Sequence, residues 1–581
     1  MSLEPADLTM NVFDAAQYLL FIVIVTVCVE PLGGYMQRVF TRRATISDRL
    51  CVPLERCIYR IAGVNPSIEM DVRQYLNCFI AFSLISTLFL YAILRFQRIL
   101  PWFFPQYQTT PLSPDLSFNT ALSFSTTTTW QAYAGENTMS YFSQMVGLCT
   151  QNFLAGAAGL AVGIAFIRGL ARESCATLGN FWTDLTRSLL WILLPGALFG
   201  SLLLVWQGVP MNFHHYVVAS TLEGKTQVIP QGPVAALEII KTLGTNGGGF
   251  FNANGAHPYE NPTPLSNLLE LLSIVLLPAA LTNTFGRMVQ HVRQGWLFYW
   301  VMLFLFTCGL AAMHLSERHV NPLIHDVESG TTSIQSGGNM EGKEVRIGIG
   351  GSVLGGVVTS NTATGSANCA DDSLTSLGGL VLLINLLLGE VIFGGLGTGL
   401  FSMIMTAAIA VFLAGLMIGR TPEFLSKKIG PSENKMIVLY ALTGPVTILT
   451  LTAIAISTRA GLSGLATNIG PHGLTEIIFG FASCFANNGQ AFAGLNANTL
   501  FYNIVTAIAV MAGRFGLVIP ALIFAGRFSE QKATPPTRGT LPTHSFAFGV
   551  LLTVFLMIVT ALSYLPVLTL GPVLERLLFA T

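Results

Sequence analysis

The chain has 581 residues, of which 52% are hydrophobic and only 10% are charged, and its formal net charge is zero. Soluble proteins carry roughly 25% charged residues, so this apolar excess predicts a membrane protein with several spans. A net charge of zero gives no electrostatic basis for binding nucleic acid. The nine cysteines form no CxxC pair, which argues against a disulfide framework or a zinc site.

Ten apolar stretches are long enough to cross a membrane as helices, because about 20 residues span its hydrocarbon core. In chain order they lie near 14–36, 74–94, 138–167, 188–206, 265–286, 295–316, 374–419, 436–458, 499–526 and 545–570. The seventh is too long for one straight helix and is rich in glycine over 389–399. We predict a break there. Irregular backbone at this depth survives only where it is buried in protein or lines a wet cavity, so 389–399 is a candidate functional element.

Basic residues predict the orientation of these spans, because Lys and Arg concentrate in cytoplasmic loops. One set of alternate loops holds 19 of the 29 Lys and Arg, and the opposite loops and termini hold eight. The richer loops are 37–73, 168–187, 287–293, 420–435 and 527–538. We therefore predict that these loops are cytoplasmic and that both termini are extracytoplasmic.

Four further stretches on the extracytoplasmic side are too polar and too short to span. They are 116–133, 232–254, 348–372 and 476–495, and each begins apolar and continues into a run of Thr, Asn or Gly. Anchored at Thr129, Gly247, Gly365 and Gly489, the runs are spaced by 118, 118 and 124 residues. A near-constant period indicates duplicated units. The order of outer helix, re-entrant segment, polar run and inner helix occurs four times.

The polar runs have the chemistry of a site for a monovalent cation. A re-entrant helix brings the partial negative charge of its C-terminal end near the membrane centre. An extended run beyond it turns carbonyls toward a common axis, where they replace the water shell of an alkali ion. Neutral oxygens without a carboxylate cluster suit a monovalent ion better than Ca²⁺ or Mg²⁺. The alternative is ordinary polar loops, which four copies at matched topology disfavour.

The predicted fold class is an all-α polytopic membrane protein with ten transmembrane helices and four helix–pore loop–helix units around one pore. The predicted divisions are 1–73 (the first span and a basic cytoplasmic loop), 74–187, 188–294, 295–435 and 436–530 (the four pore repeats, the third with the broken span), and 531–581 (the last span).

Ionisable residues within apolar segments are functional candidates, because charge is costly there. Arg514 lies in the ninth span, where a fixed cation would gate ion exit; the alternative is a structural anchor. Glu390 begins the glycine-rich break and either offers a negative charge to the ion or pairs with Arg514. Glu238 and Lys241 are three apart, which favours a structural pair. Glu270 supports the polar run from behind or lies at the interface.

Nucleotide chemistry has no sequence basis in this chain. Neither the GxxxxGK[ST] phosphate loop nor an Asp-Lys-Thr-Gly phosphorylation motif occurs, so the energy for any active transport comes from another chain. A stand-alone channel or ion-coupled transporter with the same four units is an alternative. A secondary carrier with inverted repeats and an organic substrate is disfavoured, because the four units run in the same direction. The nine histidines show no metal-binding spacing.

Four stretches carry a resemblance to a known family: TTTTWQAYAGENTMSYFSQM, KTLGTNGGGFFNANGAHPYENPTPLSN, LLLGEVIFGGLGTGL and FASCFANNGQAFAGLNANTLFYN. They resemble the KdpA family, the potassium-binding subunits of Kdp-type potassium pumps, over essentially the whole chain. The resemblance implies a potassium-channel-like fold and a subunit that captures extracytoplasmic potassium at a selectivity filter. It implies that this chain hydrolyses no ATP and binds no organic cofactor. The implied partners are KdpB-like (a P-type ATPase), KdpC-like and small KdpF-like subunits in a bacterial inner membrane.

By motif position, the resemblance also implies a filter. The implied residues are Thr127, Thr128, Thr129, Gln131, Thr245, Asn246, Gly247, Thr364, Gly365, Asn487, Asn488 and Gly489. The residues predicted to gate or line the exit are Glu390, Gly394, Gly395, Gly397 and Arg514. The chain departs from the family pattern in its first run, which is all Thr where Asn is usually mixed in, and at Thr364, where Cys is common. Both changes keep an oxygen or a small ligand.

Overall fold

The computed structural model describes residues 11–100, 110–319, 338–419, 422–535 and 541–580. Within these residues, ten helices are long and apolar enough to cross a membrane, which confirms the predicted number of spans by length and composition. Residues 1–10 and 581, which belong to the termini predicted to be extracytoplasmic, lie outside the described residues.

Helices make up nearly all of the regular structure. In chain order, the helices of ten or more described residues are α1 (Val12–Phe40), α2 (Asp48–Ala62), α3 (Val72–Phe96), α4 (Pro114–Ser125), α5 (Ser143–Ala171), α6 (Phe181–Trp206), α7 (Val234–Leu243), α8 (Pro264–Met288), α9 (Val292–Glu317), α10 (Gly348–Asn361), α11 (Ser376–Leu387), α12 (Thr398–Ile418), α13 (Pro431–Ser457), α14 (Gly470–Phe485), α15 (Leu500–Glu530) and α16 (Phe546–Phe579). The described part of the chain also contains three antiparallel two-stranded ribbons: β1 (Met70–Asp71) with β2 (Thr177–Gly179), β3 (Val217–Ser220) with β4 (Thr226–Ile229), and β5 (Glu423–Phe424) with β6 (Lys427–Lys428).

Four short helices have the positions predicted for re-entrant segments. α4, α7, α10 and α14 contain 12, 10, 14 and 16 residues, too few to cross a bilayer. Each lies in sequence between an outer and an inner helix: α3 and α5, α6 and α8, α9 and α11–α12, α13 and α15. They end at Ser125, Leu243, Asn361 and Phe485, in every case four residues before the glycine or threonine that anchors the repeat.

The seventh span is broken, as predicted. α11 ends at Leu387, α12 begins at Thr398, and the chain between them is not helical. Glu390 and Phe393 have positive φ angles of 60° and 49° in this break, which is uncommon for residues with a side chain. The break packs so closely on α5 that a Cβ at Gly397 would lie 2.4 Å from the carbonyl oxygen of Gly159.

Burial separates central helices from peripheral ones. The most apolar window of α5 is 83% buried and that of α8 is 72% buried, whereas the windows of α1 and α16 are each 22% buried. The inner helices of the repeats therefore pack around the re-entrant segments, and the first and last spans present apolar surface outward. α1 packs mainly on α8.

Candidate functional site

Four pore segments continue from the ends of the re-entrant helices and share one backbone pattern. We number them one to four: 126–130, 244–248, 362–366 and 486–490. In each, the second and fourth residues have positive φ and the third does not. The angles are 73° and 47° at Thr127 and Thr129, 51° and 79° at Thr245 and Gly247, 53° and 69° at Ala363 and Gly365, and 49° and 89° at Asn487 and Gly489. Such alternation turns successive carbonyls toward one side, as carbonyl coordination of an ion requires.

Each pore segment is fixed to its own helix by an equivalent hydrogen bond. The amide of the third residue donates to the helix carbonyl five positions earlier in all four repeats. The bonds join Thr128 to Ser123 (3.0 Å), Asn246 to Lys241 (2.8 Å), Thr364 to Thr359 (3.3 Å) and Asn488 to Ser483 (2.9 Å). The repeat suggested by spacing in the sequence is therefore also a repeat of backbone geometry.

The four segments contact one another in a closed ring. A Cβ added at Gly247 would lie 1.5 Å from the Thr364 carbonyl oxygen, one at Gly365 would lie 2.1 Å from the Asn488 oxygen, and one at Gly489 would lie 2.1 Å from the Thr128 oxygen. In the first segment the fourth residue is Thr129, whose hydroxyl donates to the Asn246 carbonyl. The contacts therefore run from segment two to three, four, one and back to two, and they involve the carbonyl of the same residue in each segment.

The ring presents neutral oxygens at the ends of four helices. Carbonyl oxygens replace the hydration shell of an alkali cation, and the helix C-termini add partial negative charge near it. All four segments are buried, and Thr128, Asn246, Thr364 and Asn488 are each 0% exposed. This arrangement is suited to binding a dehydrated monovalent cation.

Amide side chains of the predicted filter residues hold the segments together. Gln131 accepts from the Gly249 amide at 2.9 Å and donates to the Gly249 carbonyl at 3.0 Å, which ties segment one to segment two. Asn487 donates to the Thr128 hydroxyl at 3.0 Å, and Asn488 donates to the Thr359 carbonyl at 2.8 Å. These three side chains therefore brace the ring.

Arg514 lies beside the second residue of segment one. Its guanidinium donates to the Thr127 hydroxyl at 3.3 Å and to the Ala155 carbonyl at 3.5 Å, and it lies 5.4 Å from the centre of the Phe79 ring. The side chain is buried, and its Nε atom has no hydrogen-bond partner. The hydrogen bonds of this buried guanidinium therefore go to neutral acceptors.

The break in the seventh span contacts the equivalent residue of segment two, since the Leu396 amide donates to the Thr245 hydroxyl at 3.0 Å. Glu390, at the start of the break, is 4% exposed. No ion pair within 4.0 Å joins it to Arg514, although the structure describes both side chains. The two side chains nevertheless interact electrostatically, so both predicted roles of Glu390 stay open. A Cβ at Gly394 would lie 1.9 Å from the Glu390 carbonyl oxygen, so the turn requires a glycine there.

A buried charged cluster lies behind segment two. Lys241 and Glu238 form the predicted pair at 2.9 Å, and both side chains are 0% exposed. Lys241 also donates to the Gly248 carbonyl at 2.6 Å. The Glu260 carboxylate accepts from the amides of Phe250 (2.6 Å), Phe251 (3.1 Å) and Gly255 (2.8 Å). Glu260 was not among the predicted site residues, although it follows the glycine-rich run closely in the sequence.

Glu270 belongs to the same buried environment. It is 2% exposed and interacts electrostatically with Glu238 and Lys241. Of the two placements predicted for Glu270, the structure shows the one behind the polar run and not the one at the membrane interface.

An open vestibule adjoins the ring. A cavity of about 550 Å³ is bounded by residues from all four repeats, among them Gln131, Asn254, Asp371 and Gly489. Gln490 donates to the Asp371 carboxylate at 2.7 Å, and burial raises the pKa of that carboxyl to about 7. Asp371 was not among the predicted site residues, although two adjacent aspartates after the third polar run marked the position.

Comparison with known proteins agrees with the geometry. A family model described as the potassium-transporting ATPase A subunit, KdpA, matches residues 19–577. Relatives called the potassium-binding subunit of a potassium-transporting ATPase include those of Solibacter usitatus (49% identical over 562 residues, 97% of each chain) and Acidobacterium capsulatum (48% over 576 residues, 96% of this chain and 97% of the relative). The relative from Methylobacterium radiotolerans is 49% identical over 561 residues, 97% of each chain.

A solved structure shares the fold. The potassium transporter TrkH from Vibrio parahaemolyticus aligns with a TM-score of 0.50 and 12% identity, covering 87% of this chain and 97% of that one. At that identity the likeness concerns the fold alone. The family model and the relatives cover nearly the whole chain, and they confirm the resemblance carried by the four sequence stretches: this chain belongs to the KdpA family of potassium-transporting ATPase A subunits.

Proposed function

We propose that this chain is the potassium-binding subunit of an ATP-driven potassium pump and that the ring of pore segments selects the ion. The observation that carries the proposal is the closed fourfold ring, in which the carbonyl of the third residue of each segment contacts the fourth residue of the preceding segment. The names of the relatives support potassium as the ion.

Selection rests on the arrangement of neutral oxygens. An ion that enters from the vestibule exchanges its water for carbonyl oxygens of the predicted filter residues, and their number and spacing discriminate between alkali cations. The side chains of Gln131, Asn487 and Asn488 keep this spacing through their cross-links between segments and helices. Their role is therefore to brace the ring.

Below the ring, Arg514 and the break in the seventh span control where the ion goes. Thr127 binds Arg514 and the equivalent Thr245 binds the Leu396 amide, so both elements contact the same level of the pore segments. The fixed charge of Arg514 opposes a cation that moves straight through. Glu390 offers a negative charge along the route, and Gly394, Gly395 and Gly397 permit the tight turn of the exit.

Transport energy comes from a partner. The chain lacks both nucleotide motifs, and the relatives are named as one subunit of an ATPase. The proposed complex contains KdpB-like, KdpC-like and KdpF-like subunits in a bacterial inner membrane, with the termini of this chain outside. A stand-alone channel or ion-coupled transporter is the alternative; the relatives' names favour the pump subunit.

The first prediction tests the ring through Gly247→Asp. The new side chain would collide with the Thr364 carbonyl, adopt φ near 79° and add a negative charge. Potassium affinity of the intact complex should fall by more than about tenfold, equal to about 1.4 kcal/mol, and preference over rubidium and sodium should weaken. Cation-dependent binding and uptake measure both effects.

Gly224→Asp is the matched control. Gly224 lies between β3 and β4 with φ 77° and nothing within 4 Å of an added Cβ, so it shares the backbone angle and the new charge but not the collision. It should keep normal affinity and preference. A Gly247→Asp complex that assembles and binds potassium like the wild type would refute the proposed filter.

A further inference from the structure

A second cluster of ligand-type side chains lies on the pore-loop side of repeats three and four, outside the pore segments. Asp372 follows pore segment three, and His472 and Glu476 lie in the first two turns of α14. One ligand atom from each lies within 4.8 Å of the others. The sequence showed no metal-binding spacing among its histidines, and the Asp372 carboxylate 3.0 Å from His472 comes from a residue 100 positions away.

The ligand-atom distances suit a small metal ion. His472 Nε2 lies 3.0 Å from an Asp372 carboxylate oxygen and 4.0 Å from a Glu476 carboxylate oxygen. Zn²⁺ binds nitrogen and oxygen at about 2.0–2.2 Å, which places two ligand atoms of a tetrahedral site about 3.4 Å apart. The two distances from His472 lie on either side of that value, and all three ligand atoms lie within 4.8 Å of one another.

The surroundings of His472 match those of a metal-bound histidine. Its second ring nitrogen, Nδ1, lies 3.0 Å from a carboxylate oxygen of Glu575 in α16. Metal-ligating histidines usually bond a carboxylate through the ring nitrogen that does not bind the metal, which fixes the orientation of the ring. Three carboxylates thus surround one imidazole, and a divalent cation would balance their charge.

One ligand atom in the cluster is unsatisfied. Glu476 is 0% exposed, and its Oε2 atom has no hydrogen-bond partner. The side-chain amide of Asn468 donates to the other carboxylate oxygen of Glu476 at 2.6 Å and to both carboxylate oxygens of Asp372 at 3.2 Å. These hydrogen bonds hold the two carboxylates side by side. A buried carboxylate oxygen without a donor is costly, and a bound cation would remove that cost.

Access to the cluster is open. A cavity of about 480 Å³ reaches it and is bounded by Asp372, Asn468, His472 and Glu575. We propose that Asp372, His472 and Glu476 bind a divalent transition-metal ion such as Zn²⁺, with Glu575 orienting the histidine. The ion would join the loop after pore segment three to the re-entrant helix of repeat four and to the last span. Asp371, next to Asp372, bonds Gln490 beside Gly489, so the site is adjacent to the pore ring.

The test is titration of the intact, chelator-treated complex with Zn²⁺, followed by calorimetry and by thermal unfolding. The wild type should bind one more Zn²⁺ than His472→Gln and Glu476→Gln, or bind it at least tenfold more tightly, and only the wild type should gain thermal stability from that ion. Asp372→Asn is an independent third variant, and potassium uptake in chelator reports whether each variant is folded.

His215→Gln is the control, because His215 is exposed in the loop before β3 and outside the cluster. It should bind Zn²⁺ like the wild type. Equal stoichiometry and affinity in the wild type and the cluster variants would overturn the proposal. A wild type whose unfolding temperature does not respond to Zn²⁺ would also overturn it, and the cluster would then be an ion-paired histidine only.

Discussion

Pore segments one and two have the same backbone shape, but different chemistry holds it. In both, the amide of the third residue donates to the helix carbonyl five positions earlier, that of Ser123 or Lys241. The side chains of these two equivalent residues then reach the fifth residue of their segments: the Ser123 hydroxyl accepts from the Trp130 amide, and Lys241 donates to the Gly248 carbonyl. A neutral hydroxyl and a buried ammonium therefore occupy the same position in the repeat.

The difference extends to the fourth residue. Segment two has Gly247, which leaves room for the Thr364 carbonyl of the next segment. Segment one has Thr129, which tolerates a φ of 47° and donates its hydroxyl to the Asn246 carbonyl. The ring thus depends on the position of carbonyls, which several side chains can secure. Removing the buried charge of Lys241 should nevertheless lower stability more than removing a neutral hydrogen bond, because the partner carboxylate of Glu238 remains buried and unpaired.

Lys241→Met gives the largest expected effect among the changes that remove a side chain bracing segment one or two. It leaves Glu238 buried without its ion-pair partner and frees the Gly248 carbonyl, and breaking a buried pair costs about 3–5 kcal/mol. The thermal unfolding temperature of the complex and its potassium affinity should both fall. Lys225→Met removes the same charge from a side chain that is 80% exposed, and should change neither. Equal behaviour of the two variants would mean that the cluster behind segment two contributes nothing to the ring.

Ser123→Ala should have the same kind of effect on segment one, but a smaller one. It leaves the buried Trp130 amide without the acceptor it has in the structure, which costs about 1–3 kcal/mol. Potassium affinity should fall less than in Lys241→Met, and the comparison uses the same unfolding and binding assays. Ser220→Ala, at an exposed position in β3, is the control. A larger loss of stability and potassium affinity in Ser123→Ala than in Lys241→Met would contradict the expectation that the buried charge in segment two matters more than the neutral hydrogen bond in segment one.

Thr129→Gly should have the smallest effect. The change relieves the backbone strain of a β-branched residue in the left-handed region, which costs about 1–3 kcal/mol of stability. It also removes one hydrogen bond, which contributes about 0.5–1.5 kcal/mol. Stability and potassium affinity should therefore stay within about 1 kcal/mol of the wild type. The reciprocal Gly247→Thr places a Cβ 1.5 Å from the Thr364 oxygen and should abolish binding. If Thr129→Gly also abolished binding, the Thr129 hydroxyl would be an ion ligand and not a brace.

Much of the fold follows from local sequence patterns. The ten spans, the break in the seventh and the four short helices were predicted, because apolar length and glycine content are properties of neighbouring residues. The register of the repeats was predicted too: the anchors chosen at Thr129, Gly247, Gly365 and Gly489 are the last positive-φ residues of the alternating pattern in their segments. The division of the chain into the six predicted parts remains a proposal.

Fewer contacts of the candidate site than elements of the fold were predicted from the sequence. Lys241 and Glu238 were predicted to pair from their spacing on one helix. Three other contacts were not predicted: Lys241 with Gly248, Glu260 with three backbone amides, and Gln490 with Asp371. In the first two the chain turns back on itself between the partners, and in the third the partners belong to different repeats. Gln131, Asn487 and Asn488 of the implied filter form side-chain hydrogen bonds that the sequence did not predict. The buried Asn246 side chain has no hydrogen-bond partner among the described residues, and the ion-binding role of all four residues stays a prediction.

The sequence by itself indicated ten helices long and apolar enough to cross a membrane, a fourfold repeat of one backbone unit and membership of the KdpA family, since composition, period and motif are all local or periodic signals. Tertiary structure decided the order of contacts around the ring, the absence of an ion pair between Glu390 and Arg514, and the meeting of Asp372 with His472. These depend on distances between side chains that are far apart in the chain, and packing of the repeats against one another sets those distances.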